Sequence, residues 1–214
     1  MISEQPLVIA VSAGLTLEAR LAMPASPRGG IVICHPHPLY GGDMDNPVVV
    51  RVREVCADLG LATLRFNFRG VGGSTGTHAE GVGEQEDAAA ALDILAKAVG
   101  ARPLVIGGYS FGARIAAIVS SRDSRLAGVV LIAPPLAMYD FGSLEGRRLP
   151  TLMAAGTADP YCPADAFAKL GARFPWVETA TVDGADHFFF GKLFPLGQAV
   201  AEWARRQFPE REAG

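Results

Sequence analysis

The hydrophobic pattern changes period along the chain. Leu7-Val8-Ile9-Ala10-Val11 is followed by Ser12-Ala13-Gly14. Then Leu15, Leu17, Ala19, Leu21 and Met23 fall on one face, with Thr16, Glu18 and Arg20 on the other. A period of two on either side of a glycine-containing turn predicts an antiparallel β-hairpin. From Gly30 the alternation stops. Gly30-Ile31-Val32-Ile33-Cys34 is an unbroken apolar run, as expected for a strand covered on both faces.

The next segment has helical spacing. Val48, Val52, Val55, Cys56 and Leu59 form one stripe, Asn46 and Pro47 supply an N-cap and a first helical residue, and Gly60 supplies the stop. The alternation of types then repeats. Strands are expected over Leu61–Phe66, Pro103–Gly107, Leu126–Ala133, Leu149–Ala155 and Val177–Val182. Helices are expected over Glu84–Val99, Ala113–Val119, Pro163–Leu170 and Leu196–Phe208. Strands that alternate with helices pair in parallel through right-handed crossovers. The predicted fold class is therefore α/β, a mostly parallel sheet of about eight strands with an N-terminal antiparallel hairpin and helices on both faces.

Composition narrows the classes. At 214 residues, 50% hydrophobic and 19% charged, the chain is globular, and a single domain spanning 1–214 is expected. A net charge of -3 with scattered Lys and Arg argues against a nucleic-acid partner. No apolar run reaches a membrane-spanning length, since Leu126–Tyr139 is broken by Pro134-Pro135. The N-terminus lacks the pattern of a secretory signal. Cys34, Cys56 and Cys162 form neither a disulfide framework nor a zinc pattern. A soluble cytoplasmic protein is expected.

In such sheets the functional groups gather on loops at the carboxyl ends of strands. After the fifth predicted strand comes Gly108-Tyr109-Ser110-Phe111-Gly112, a G-x-S-x-G at a strand-to-helix turn, which presents a serine beside the N–H groups of the next helix. In a chain with 25 glycines this match is not diagnostic by itself. A nucleophilic serine needs a base and a carboxylate to orient it. Of the four histidines, His187 follows the last strand. Asp159 follows the strand before that, in Gly156-Thr157-Ala158-Asp159-Pro160, where turn formation is its alternative role. Asp140 is the rival carboxylate; Asp186 adjoins His187, and adjacent side chains point apart.

Ser110, Asp159 and His187, in that order and each just past a strand, resemble the catalytic set of the α/β-hydrolase superfamily. The resemblance covers nearly the whole chain. His35-Pro36-His37-Pro38-Leu39-Tyr40-Gly41-Gly42-Asp43-Met44-Asp45-Asn46 is similar to a compact, capless bacterial group related to dienelactone-hydrolase-like proteins. That resemblance implies an α/β-hydrolase fold and a serine hydrolase acting on a small-molecule carboxylic ester or thioester, without a cofactor. The nucleophile is Ser110 where dienelactone hydrolases have cysteine, so their substrate is not carried over.

The resemblance further implies an oxyanion hole built from the backbone N–H of Phe111 and of a residue in the loop after the third strand. Pro36 and Pro38 have no N–H, which leaves His37, with Leu39 and Tyr40 as reserves. A cap is commonly inserted after the sixth strand in this superfamily, and 134–148 is too short to fold as one. An open site is therefore expected, with Tyr40, Tyr109, Tyr139, Phe141 and Phe188 as its walls. The Phe188-Phe189-Phe190 run fits core packing equally well. Arg65–Ser74 lacks the spacing of a phosphate loop and reads as a structural turn, with Arg69 bracing its neighbours. Two further readings stay open. His35 and His37, with Asp43 and Asp45, form a possible metal-ligand set for a metal-dependent hydrolase, and a non-catalytic scaffold would keep the fold without the chemistry.

Overall fold

The computed structural model describes residues 2–209. The predicted hairpin is β1 (Glu4–Ser12) and β2 (Leu15–Ala22), paired antiparallel. β1 begins earlier than its apolar run and contains Pro6. A proline fits there because β1 is an edge strand, where an N–H is dispensable. The remaining elements follow as β3 (Gly30–Cys34), α1 (Pro47–Asp58), β4 (Ala62–Phe66), α2 (Gly83–Val99), β5 (Leu104–Tyr109), α3 (Phe111–Ser120), β6 (Leu126–Ile132), β7 (Thr151–Gly156), α4 (Ala164–Arg173), β8 (Val177–Val182) and α5 (Leu193–Gln207).

Among the described residues these strands form one eight-stranded sheet, ordered β1-β2-β4-β3-β5-β6-β7-β8. β2 joins β4 antiparallel, and every pair from β4 to β8 is parallel. This is the α/β-hydrolase fold.

The unbroken apolar runs are explained by two cores. In β3, Val32 and Cys34 enter the core under α2 and α3, while Ile31 and Ile33 enter the core under α1 and α5. In β6, Val129 and Leu131 point one way, and Val130 and Ile132 the other. Edge strand β8 buries only Val177 and Val182 at its ends and exposes Glu178, Thr179 and Thr181.

The local signals at α1 behave as expected. Asn46 Oδ1 accepts the Val48 N–H at 3.0 Å, Pro47 opens the helix, and Gly60 takes a left-handed φ of 76° beyond it. α5 starts at Leu193, ahead of the expected Leu196. Its Pro195 sits in the first turn, where a missing N–H costs nothing. The 133–150 connection between β6 and β7 contains only a short 3₁₀ turn, Gly142–Gly146, and among the described residues it builds no cap over the carboxyl end of the sheet. Phe141, expected as a wall of the site, is 1% exposed and belongs to the core on the α2–α3 side, because this turn packs against α3.

Candidate active site

Ser110 lies between the last residue of β5 and the first of α3, with φ 55° and ψ -116°. Such a backbone costs a non-glycine residue on the order of 1–3 kcal/mol and persists only where the surroundings over-determine it. Here Ser110 N–H donates to Ile132 O at 2.8 Å, and Ser110 O accepts from Ala113 N–H at 2.9 Å. The flanking glycines permit the turn. A Cβ on Gly108 would lie 2.1 Å from Gly112 O, and one on Gly112 would lie 2.3 Å from Cys34 O. Both positions exclude any side chain.

The loops after β7 and β8 deliver the partners. Ser110 Oγ is 2.9 Å from His187 Nε2, and His187 Nδ1 is 2.8 Å from Asp159 Oδ2. Asp159 and His187 are 4% and 7% exposed. The other Asp159 oxygen accepts N–H bonds from Tyr161 at 2.8 Å and Cys162 at 3.2 Å. These two donors orient the carboxylate, so Nδ1–H is the donor to Asp159 and Nε2 is left to accept from the serine hydroxyl. Asp140 is exposed. Asp186 turns away and accepts the Phe188 N–H at 3.0 Å.

On the other wall, the loop after β3 closes on itself. Leu39 N–H donates to His37 Nδ1 at 3.2 Å, and Tyr40 N–H donates to His37 O at 3.1 Å. The His37 N–H has no such acceptor among the described residues. Of the three residues the sequence offered as second donor, His37 is thus the one with its N–H available.

His35 does not share this surface. It is fully buried; its Nδ1 lies 2.6 Å from Pro36 O and its Nε2 accepts the Phe68 N–H at 3.0 Å. Burial pushes its imidazole down to about 4. Asp45 pairs with Arg65, and Asp43 Oδ1 accepts the Asp45 N–H at 2.9 Å. The set His35, His37, Asp43 and Asp45 is therefore divided among internal bonds. No described group of three His, Cys, Asp or Glu is arranged to hold a metal ion.

Ser110 and His187 open into a cleft of about 330 Å³. Its walls include Tyr40, Tyr139, Phe188, Pro135 and Met138. Tyr161, which the sequence reading missed, packs on the His187 ring at 4.7 Å. Its position two residues after Asp159 was the available signal. Tyr109 borders the cleft but is 2% exposed, with its hydroxyl bonded to His187 O. Of the phenylalanine run, Phe188 lines the cleft and Phe189 is fully buried in the core on the α1–α5 side. Arg69 braces the turn after β4, donating to Asp87 at 2.7 Å.

A sheet of this order with a serine on the turn after β5 defines an α/β hydrolase. Residues 31–193 match the family model described as alpha/beta hydrolase domain, and the chain belongs to that family. It is similar to the uncharacterized protein RP471 of Rickettsia prowazekii, at 37% identity over 87% of this chain and 83% of that one. Among solved structures it is similar to an alpha-beta serine hydrolase homologue from Coxiella burnetii, at 34% identity and a TM-score of 0.86, covering 94% of this chain and 98% of that one. It is also similar to XC6422 of Xanthomonas campestris, an α/β serine hydrolase without lid, at 27% identity and a TM-score of 0.88 over 98% and 97% of the two chains. No described helix is long and apolar enough to cross a membrane.

Proposed function

We propose that the protein is a serine hydrolase that cleaves uncharged carboxylic esters, or thioesters, through an acyl-enzyme. The observation that carries this reading is the continuous Asp159–His187–Ser110 chain, with contacts of 2.8 and 2.9 Å, at the mouth of a cleft.

In the reaction, Ser110 Oγ attacks the carbonyl carbon while its proton passes to His187 Nε2. Asp159 stabilises the resulting imidazolium. The Phe111 and His37 N–H groups receive the oxyanion, each donor contributing roughly 3–4 kcal/mol. The intermediate collapses as the alcohol or thiol leaves with the proton from Nε2. Water, deprotonated by the same nitrogen, then attacks the acyl-serine; the acid departs and Ser110 recovers its proton.

The cleft supports an uncharged substrate. Its described lining holds no Lys, Arg, Asp or Glu. Burial, and then the neighbouring His78, hold His37 below its ordinary pKa, so it too is neutral at pH 7. An anionic acyl group would find no cation among these lining residues. The rim is apolar: Tyr40, Met138 and Phe188 are 83, 57 and 54% exposed, and Phe190 packs on Phe188. An apolar surface continuous with a catalytic cleft favours a substrate whose hydrocarbon extends out of the site. The three cysteines are free and buried, with thiols held well above their ordinary range by burial.

The test is turnover of a panel of p-nitrophenyl esters by the purified protein and by Ser110→Ala. Losing the nucleophile is expected to lower kcat by on the order of 10⁶. Equal turnover by the two proteins would exclude Ser110 as catalyst.

A further inference from the structure

Behind the cleft wall opposite His187 lies a second carboxylate–imidazole pair that the proposed reaction does not use. His78 Nδ1 is 2.8 Å from Glu84 Oε1, and the two side chains are 10% and 0% exposed. Glu84 stands in the first turn of α2. Its Oε1 accepts the Ala79 N–H at 2.8 Å and its Oε2 accepts the Gly81 N–H at 2.7 Å. One buried carboxylate thus ties down the backbone of the glycine-rich segment that carries His78 and lies against the His78 ring. Burial by itself would raise the Glu84 pKa; these N–H donors and His78 outweigh it and keep the group ionised.

The His78 ring faces the two residues that the proposed mechanism uses as oxyanion donors. Its centroid is 4.9 Å from that of His37 and 5.7 Å from that of Phe111. His37 and Phe111 themselves pack at 4.9 Å. The three rings form one tilted cluster, and the N–H groups in question belong to the backbones that hold two of them. Donors to an oxyanion must stand within a few tenths of an ångström of their productive place, and a packed neighbour is what holds them there.

We propose that Glu84 and His78 are positioning residues for the oxyanion hole: the buried carboxylate fixes the His78 ring, and that ring holds His37 and Phe111 so that both N–H groups meet the developing oxyanion. The proposal rests on the Ser110 nucleophile reading. It gives a role to the segment between His78 and Glu84, which lies beyond the Arg65–Ser74 turn. The imidazole lies 2.8 Å from the carboxylate without the alignment of a hydrogen bond, so it acts on Glu84 through charge and contact, while the two backbone N–H groups supply its hydrogen bonds.

The test separates anchoring from packing. His78→Asn keeps a polar side chain beside Glu84, whose bonds to the Ala79 and Gly81 N–H groups still hold the segment, but removes the ring from His37 and Phe111. For p-nitrophenyl acetate we expect kcat to fall about tenfold with KM within about twofold, a partial loss against the roughly 10²–10³ of deleting one donor. Affinity for an alkyl trifluoromethyl ketone, whose hemiketal oxyanion occupies the same hole, is expected to fall by the same factor. His78→Phe keeps a ring but sets an apolar edge against the buried Glu84 carboxylate in place of the imidazole nitrogen, and is expected to lower both kcat and thermal stability. A His78→Asn protein that melts like the wild type and retains both kcat and ketone affinity would overturn the positioning role. So would a drop in kcat without any drop in ketone affinity. Ser110→Ala is the control. If it is inactive while His78→Asn is unaffected, only the positioning role falls; if it retains turnover, the nucleophile reading falls and this proposal with it.

Discussion

The hydroxyl of Tyr109 donates a 2.9 Å hydrogen bond to the main-chain carbonyl of His187. The residue just before Ser110 therefore anchors the loop that carries His187, 78 positions away in sequence. Tyr109→Phe removes one donor and leaves a buried carbonyl unpaired, at about 1–3 kcal/mol. Each kilocalorie corresponds to about 2–4 °C in Tm for a chain of this size. Calorimetry should show that loss, with a fall in kcat far smaller than that of a variant lacking the base.

Asp159 and Asp140 were both open as the acid, and only Asp159 meets the imidazole. Asp159→Asn should lower kcat by about 10⁴, because an amide favours the wrong tautomer of His187. Asp140→Asn should leave it within about twofold of the parent protein, as expected of a surface change away from such features. Steady-state kinetics on one ester decides between them, and the reverse pattern would reassign the acid.

The strained backbone of Ser110 predicts a trade between activity and stability. Ser110→Gly relieves a φ of 55° that only glycine adopts without cost. Turnover should vanish while the unfolding free energy rises by about 1 kcal/mol or more. Urea melts of the two proteins measure the difference, and a less stable glycine variant would count against stored strain at this turn.

His35 sets an acid limit on the fold. Burial depresses its pKa from 6.5 to about 4 in the folded chain. The unfolded chain binds the extra proton first. The neutral ring therefore contributes stability that is fully present above pH 6.5 and is lost as pH falls toward 4. The full effect is about 3 kcal/mol at most. Unfolding free energies measured at intervals from pH 7 to pH 4 should decline across this window. His35→Gln, which keeps an acceptor for the Phe68 N–H, should flatten the decline.

The apolar rim predicts a chain-length dependence. Each methylene that reaches Met138 or Phe188 and leaves water gains about 0.8 kcal/mol at full burial, so kcat/KM should rise by up to about fourfold per carbon from acetate to octanoate. Phe188→Ser should reduce that slope and leave acetate hydrolysis nearly unchanged. A slope of zero in the parent protein would remove the rim from substrate binding.

The periodicity by itself determined the order and type of the elements, because a hairpin strand, a doubly covered strand and an amphipathic helix each leave a distinct spacing of apolar residues. It also placed Ser110, Asp159 and His187 at strand ends, since G-x-S-x-G and the loop positions are local features. Boundaries slipped where the tertiary setting overrode local signals, as at Pro6 on an edge strand and Pro195 in a first turn. The contact of His187 with Asp159 and not Asp140, the burial of Phe141, the division of His35 from His37, and the meeting of His78 with Glu84 and the His37–Phe111 pair came only from the tertiary structure. Each depends on which way a loop folds back over the sheet, and that direction is set by packing between residues far apart in the chain.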